Sequence, residues 1–245
     1  MSYSLQLYTV RKELEEDLAG TIQRLAAIGY TMVEPYQFVA IADELRRALV
    51  ENSLTAPSGH APLLSEDQDV IFAAAQQLGI GTVIEPYVPT ERWNTIEGIK
   101  ATARQLNEAA TKGVEYGVRV GYHNHWWEVE SVIDGKTAIE QLADHLNPEV
   151  VLELDTYWAA VGGQNPVELL GRLGSRVKFI HIKDGPVTSD PASQLAVGAG
   201  QMPIWDVLNA ARFLEAGVVE LDDFHGDMFE AVQASYNYLR AGTVA

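Results

Sequence analysis

Short β-branched or aromatic runs recur along this chain of 245 residues, and each is followed by a longer stretch with helical spacing. That alternation demands parallel strands joined by crossover helices, since a tight turn cannot link a parallel pair. Eight strand-helix pairs are legible. The strand candidates are SLQLYTV (4 to 10), TMVEPY (31 to 36), LTAPSGH (54 to 60), GTVIEPY (81 to 87), VRVGYHNH (118 to 125), VVLELDTY (150 to 157), VKFIHIKD (177 to 184) and GVVELDD (217 to 223). Between them, Ser65 with Gln68, Thr137 with Glu140, Asn165 with Glu168 and Asp227 with Glu230 each pair a capping side chain with a polar residue three positions on. Pro166 stands where a first-turn proline belongs. Apolar residues at helical spacing, such as Leu14, Leu18, Ile22 and Leu25, predict one buried stripe per helix. Gly29, Gly79, Gly117 and Gly174 fall just past helix ends, where a left-handed residue costs glycine least.

Eight such units without a linker rich in Pro, Gly or Ser predict an α/β fold, a single-domain (β/α)8 TIM barrel over residues 1 to 245. An open dinucleotide-binding sheet lacks its fingerprint here, because no G-x-G-x-x-G follows an early strand. Composition narrows the chemistry. With 34 acidic against 17 basic residues the formal charge is -17, a field that repels phosphate backbones and anionic membranes, so neither nucleic acid nor membrane is the expected partner. The chain has no cysteine, which excludes disulfides, thiolate metal sites and a cysteine nucleophile. The start, MSYSLQLYTVRKELEED, turns acidic by residue 13 and reads as neither signal peptide nor membrane span, so the cytoplasm is the expected compartment.

In a barrel, chemistry sits at the C-terminal ends of the strands. The strand candidates end on Glu34, His60, Glu85, His123 with His125, Asp155, His181 with Lys183, and Glu220 with Asp222. Such groups are costly to bury unless paired or bound to an ion. Side chains alternate along a strand, so residues of one parity share the inward face. His123, Asp155, His181 and Glu220 can thereby converge from four neighbouring strands. Two imidazoles and two carboxylates suit Mn, Fe, Co, Zn or Mg. The competing reading is a metal-free network of His-carboxylate hydrogen bonds. Glu153 and Arg119 lie deeper by the same parity, which predicts an ion pair inside the barrel. His145, by contrast, sits at a helix C-terminus, where a cation needs no further function.

Taken together, LQLYTVR, IGYTMVEPY, GYHNHWWEVE, ELDTYW, FIHIKDG, and VGAGQMPIWDVLNAA followed by GVVELDD resemble the sugar phosphate isomerase/epimerase family, the xylose isomerase-like TIM barrels, over essentially the whole chain. The resemblance implies one divalent cation at the barrel mouth, manganese first among Mn, Co, Zn, Fe and Mg, with Asp155, His181 and Glu220 as ligands. A small carbohydrate or cyclitol would chelate it. The family's fourth ligand is often a glutamate; the matching position here holds His123. That departure weakens a two-carboxylate epimerase and favours His125 as the base, with its ordinary pKa near ~6.5. In the alternative, His125 only hydrogen-bonds the substrate or Glu128, and which of the two histidines is the ligand stays open.

The implied chemistry is proton removal beside a carbonyl through a metal-stabilised enediolate, with Glu220 or His125 as base and Lys183 on the developing oxyanion. Isomerisation, epimerisation and dehydration share that intermediate. Glu34, His60, Glu85 and Glu128 are expected to bind the substrate, and Trp126, Trp127 and Trp158 to wall the sugar, although loop packing or a homodimer interface explains the tryptophans equally well. Loops 7 and 8 offer few cations, so an unphosphorylated substrate is expected. The rival functions are a non-catalytic carbohydrate-binding barrel and an abasic-site endonuclease, the latter opposed by the charge.

Overall fold

The computed structural model describes residues 3–242. Strands β1 (Tyr3–Gln6), β2 (Met32–Glu34), β3 (Ser58–His60), β4 (Thr82–Glu85), β5 (Arg119–His123), β6 (Val151–Asp155), β7 (Val177–Ile182) and β8 (Ala216–Val219) form one parallel sheet in the order β2-β1-β8-β7-β6-β5-β4-β3. The ends of that order meet through parallel bridges of Met32 with Thr55 and Tyr36 with His60. The His60 N–H donates to Pro35 O at 2.7 Å across the same seam. The sheet is thus a TIM barrel, ringed by helices Leu18–Ile28, Ala42–Glu51, Gln68–Leu78, Ile96–Gly113, Ala138–His145, Pro166–Leu173, Ile204–Ala210 and Met228–Ala241.

Local chemistry explains most element ends. Thr137 and Glu140 form a reciprocal capping box, Asn165 caps the helix opened by Pro166, and Asp227 caps Met228–Ala241. The helix Gln68–Leu78 starts differently from the expected Ser65 cap: Asp67 Oδ1 accepts from Asp69 N at 2.9 Å, and the Ser65 N–H is already committed to Pro62 O. Gly29 (φ 119) ends the first outer helix, and a Cβ there would meet Tyr236 Oη at 2.5 Å, so conformation and packing both demand glycine.

The strands are shorter than their apolar runs. β1 stops at Gln6 and Leu7–Val10 coils into a 3-10 turn, while Thr156–Val161 is a helix capped by Asp155. A two-stranded hairpin, Val132–Ile133 with Lys136–Thr137, was not foreseen; it turns on Asp134 and Gly135, both at positive φ.

Inside the barrel, side chains stack in layers by parity. The lower layer is Ile84, Val151, Phe179 and Ala216, with Met32 against it. Two residues further along the same strands stand Glu34, Glu153 and His181, all buried. The larger apolar cluster fills the space between barrel and helices, with Leu5, Val33, Val83, Val120, Leu154 and Ile180 fully buried. A Leu→Ala change in such a layer costs about 2–5 kcal/mol.

The expected Arg119–Glu153 pair does not form. Arg119 pairs with Thr82 in register, at the N-terminal mouth, and its guanidinium binds Glu215 and Thr82 Oγ1. Glu153 is level with His123, four residues further along β5. Shared parity gives a common face and says nothing of height.

Candidate metal centre

Asp155 closes β6 and caps the helix behind it: Oδ1 accepts from Trp158 N at 2.7 Å. That bond fixes the carboxylate and leaves Oδ2 buried, with the Lys183 ammonium 3.0 Å away as its ion-pair partner. His181, beside it on β7, shares a hydrogen bond between Nε2 and Glu34 Oε1 at 2.9 Å, and its Nδ1 is buried on the opposite side of the ring. Glu220, just past β8, brings Oε2 to 2.6 Å from that Nδ1. His123 at the end of β5 completes the group; donor atoms of His123, Asp155, His181 and Glu220 all lie within 4.8 Å of one another. Buried donors of mixed nitrogen and oxygen type, converging from four consecutive strands, fit a divalent cation of borderline character.

Burial opposes a charge on His181, but Glu153 and Glu220 outweigh it and hold the ring well above the usual histidine range in the ion-free site, so an arriving cation displaces a proton there. Burial first, and then neighbouring His181, hold His123 well below the usual histidine range, so its ring is neutral. Burial opposes ionisation of Glu220, but Lys183 and His181 outweigh it and hold the carboxyl well below its ordinary value. Burial likewise opposes the Lys183 charge, and Asp155, Asp222 and Glu220 overcome it. The Lys183 ammonium lies 3.0, 2.8 and 2.7 Å from Asp155, Glu220 and Asp222 oxygens respectively. Buried cations persist only with such partners.

Above the donors opens a cavity of about 390 Å³, whose polar walls include His60, Glu85, His123, His125, Glu220 and Asp222. Tyr8, Tyr36 and Tyr87 form its aromatic side. The ring of His125 stacks on Trp127 with centroids 4.3 Å apart, and Glu128 Oε2 accepts from the His125 N–H at 2.8 Å. Glu128 itself is fully buried, takes the Tyr122 hydroxyl at 2.6 Å, and does not reach the cavity.

Several expected substrate contacts stand elsewhere. Glu34 is fully buried beneath the donors, accepting from Gln6 Nε2, Ser58 Oγ and His181 Nε2. Trp126 and Trp158 pack on each other at 5.1 Å and lie outside the cavity wall. His60 does face the cavity, while its Nε2 lies 2.6 Å from Glu153 Oε2. Glu85 also faces it, with backbone N–H groups of Leu64 and Tyr87 on its oxygens, and burial pushes its carboxyl up to about 7. Sequence reasoning passed over the three tyrosines and named Asp222 only as a strand-end carboxylate, without a place in the site. One signal was available: Glu-Pro-Tyr follows both β2 (34–36) and β4 (85–87), and both tyrosines reach the mouth.

Among known proteins, the family described as xylose isomerase-like TIM barrel matches residues 22–241. A curated relative, inosose dehydratase of Geobacillus kaustophilus, is 36% identical over 80 residues, covering 32% of this chain and 25% of that protein. The chain thus matches about a quarter of that relative's length. A sugar phosphate isomerase/epimerase from Parabacteroides distasonis superposes with a TM-score of 0.81 at 24% identity, over 99% of this chain and 94% of the other. The IOLI protein, solved with a binding zinc atom, superposes with a TM-score of 0.75 at 18% identity, over 98% and 97% of the two chains. Among the described residues no helix is long and apolar enough to cross a membrane.

Proposed function

The chain belongs to the xylose isomerase-like TIM barrel family, and from that premise we propose that it is a divalent-metal-dependent dehydratase of an unphosphorylated cyclitol or keto sugar. The observation that carries the reading is the convergence of His123, Asp155, His181 and Glu220 donors, of which His123 and Glu220 line a cavity of sugar size. The partial match to an inosose dehydratase supports water loss as the outcome rather than isomerisation or epimerisation. Among the described residues no lysine or arginine lines the cavity, which supports a neutral substrate.

His123, Asp155, His181 and Glu220 would hold the ion, as the zinc-binding IOLI structure makes natural for this fold. When bound, it supplies Lewis acidity toward the oxygens of a vicinal hydroxy-ketone. The chain's own groups do the rest. His125, held at its backbone by Glu128 and along its ring by Trp127, takes the proton from the carbon beside the carbonyl. Lys183 keeps its charge through three carboxylates and lies behind Glu220 and Asp222 of the cavity wall, so it adds the field of a fixed cation to the site and is not a proton donor. Glu85, protonated through much of the neutral range, delivers its proton to the departing β-hydroxyl. The C–H pair becomes the C=C bond, the C–O bond breaks, and hydroxide leaves as water. His125 then returns its proton to Glu85 through solvent.

The test is turnover of inososes and keto sugars in deuterated buffer with manganese, cobalt or zinc. Expected are a product lighter by one water and deuterium at the carbon next to the carbonyl. Binding without exchange or water loss would leave a carbohydrate-binding barrel and defeat the reading.

A further inference from the structure

Beneath the donor set lies a second convergence, His60, His123, Glu153 and His181, whose offered atoms also fall within 4.8 Å of one another. The proposed chemistry makes no use of Glu153, which is 1% exposed and does not line the cavity. Yet three imidazoles meet on one of its oxygens. Oε2 lies 2.6 Å from His60 Nε2, 3.1 Å from His181 Nε2 and 3.4 Å from His123 Nδ1.

We propose that Glu153 is a positioning residue that fixes the tautomers of these three histidines, and so decides which ring nitrogens face the ion and the substrate; the proposal rests on the reading of the site as a divalent-metal centre. A neutral imidazole carries one N–H and one lone pair, and an ionised carboxylate only accepts. A nitrogen turned to Glu153 therefore carries the hydrogen, and the opposite nitrogen carries the lone pair. For His181 this places the hydrogen on Nε2, where Glu34 Oε1 shares it at 2.9 Å, and frees Nδ1 beside Glu220. In His123 the hydrogen goes to Nδ1 and Nε2 is the ligand atom. In His60 it goes to Nε2, which leaves Nδ1 for a substrate hydroxyl.

A second cation at Glu153 is the alternative occupant of this layer, and the hydrogen-bond geometry opposes it. His60 Nε2 and His181 Nε2 both meet carboxylate oxygens with hydrogen-bond geometry, and Glu34 is further committed to Gln6 and Ser58. That leaves Glu153 Oε1 and His123 Nδ1 as the layer's unpartnered atoms, two against the three or more protein ligands such an ion takes.

The experiment is nitrogen-15 NMR of the zinc-loaded protein, paired with zinc titration of the wild type and of Glu153→Gln. Expected are Nε2–H tautomers for His60 and His181, an Nδ1–H tautomer for His123, and one zinc per wild-type chain. The variant should bind zinc about 10- to 100-fold more weakly, as loss of an orienting carboxylate does. The tautomers are read on the wild type, so they decide the matter even if the variant fails to fold. Normal zinc uptake with His181 protonated on Nδ1, or unchanged affinity in the variant, overturns the role of Glu153 alone. Two zincs per wild-type chain with one lost in the variant would make Glu153 a ligand and overturn it too. No zinc uptake by the wild type overturns the metal reading beneath it.

Discussion

The same three residues, Glu-Pro-Tyr, end β2 and β4, and the two corners have opposite fates. Glu34 turns into the barrel, where Gln6, Ser58 and His181 occupy its oxygens. Glu85 turns to the cavity and meets only backbone N–H groups of Leu64 and Tyr87. Burial raises both carboxyls and His60 pulls back on both, while Glu153 pushes Glu34 further up and His181 draws it down. Tyr36 packs edge-on against Tyr8, whereas Tyr87 packs edge-on against His125. Identical local sequence thus yields a carboxylate buried away from the cavity on one side and one facing it on the other. The difference comes from what the neighbouring strands place opposite each corner.

The largest effect expected is on the β4 side. His125→Gln should lower turnover by about 100- to 10,000-fold while metal content is unchanged, since a general base is lost and no ligand is. Loss of the ion in that variant would show that the two histidines are assigned the wrong way round; metal analysis beside steady-state kinetics decides it.

Next comes the pH dependence of Glu85. A carboxyl that keeps its proton when folded loses stability relative to the unfolded chain as pH climbs from the ordinary carboxyl value toward about 7, and levels off above. A rise of that size corresponds to roughly 3 kcal/mol. Glu85→Gln should lack this slope, so the variant should gain on the wild type between pH 5 and 8 in denaturant titrations. Parallel curves would place the proton elsewhere. The matching change on the other corner, Glu34→Gln, should instead weaken metal binding about 10- to 100-fold by loosening His181, and Glu85→Gln should not. Equal affinities in the two variants would erase the contrast. The smallest effects belong to the tyrosines. Tyr36→Phe and Tyr87→Phe should each raise KM by about 2- to 10-fold through loss of one substrate hydrogen bond, with kcat little changed.

The barrel was legible because its signal is repeated: eight apolar runs, each with a helix after it, leave few other ways to bury the chain. Strand ends were less so. The aromatic run of VVLELDTY continues past Asp155, and only the bond from Trp158 N to the Asp155 carboxylate turns it into a helix. Parity along β5 to β8 brought His123, Asp155, His181 and Glu220 onto one face, and the structure brings their donors together. Parity failed for Arg119 and Glu153, because height in a barrel depends on the stagger between strands, which one strand's sequence does not carry. The role of Glu34 was invisible for a similar reason. Its partners come from β1, β3 and β7, so no local motif records them.

Calorimetric titration of chelator-treated protein with manganese, cobalt or zinc tests the central claim most directly, with Asp155→Asn as the control. The account predicts one divalent site per wild-type chain, absent or severely weakened in the variant, with dehydratase turnover restored in step with occupancy. Full turnover in the stripped protein, or equal binding by both chains, would contradict it.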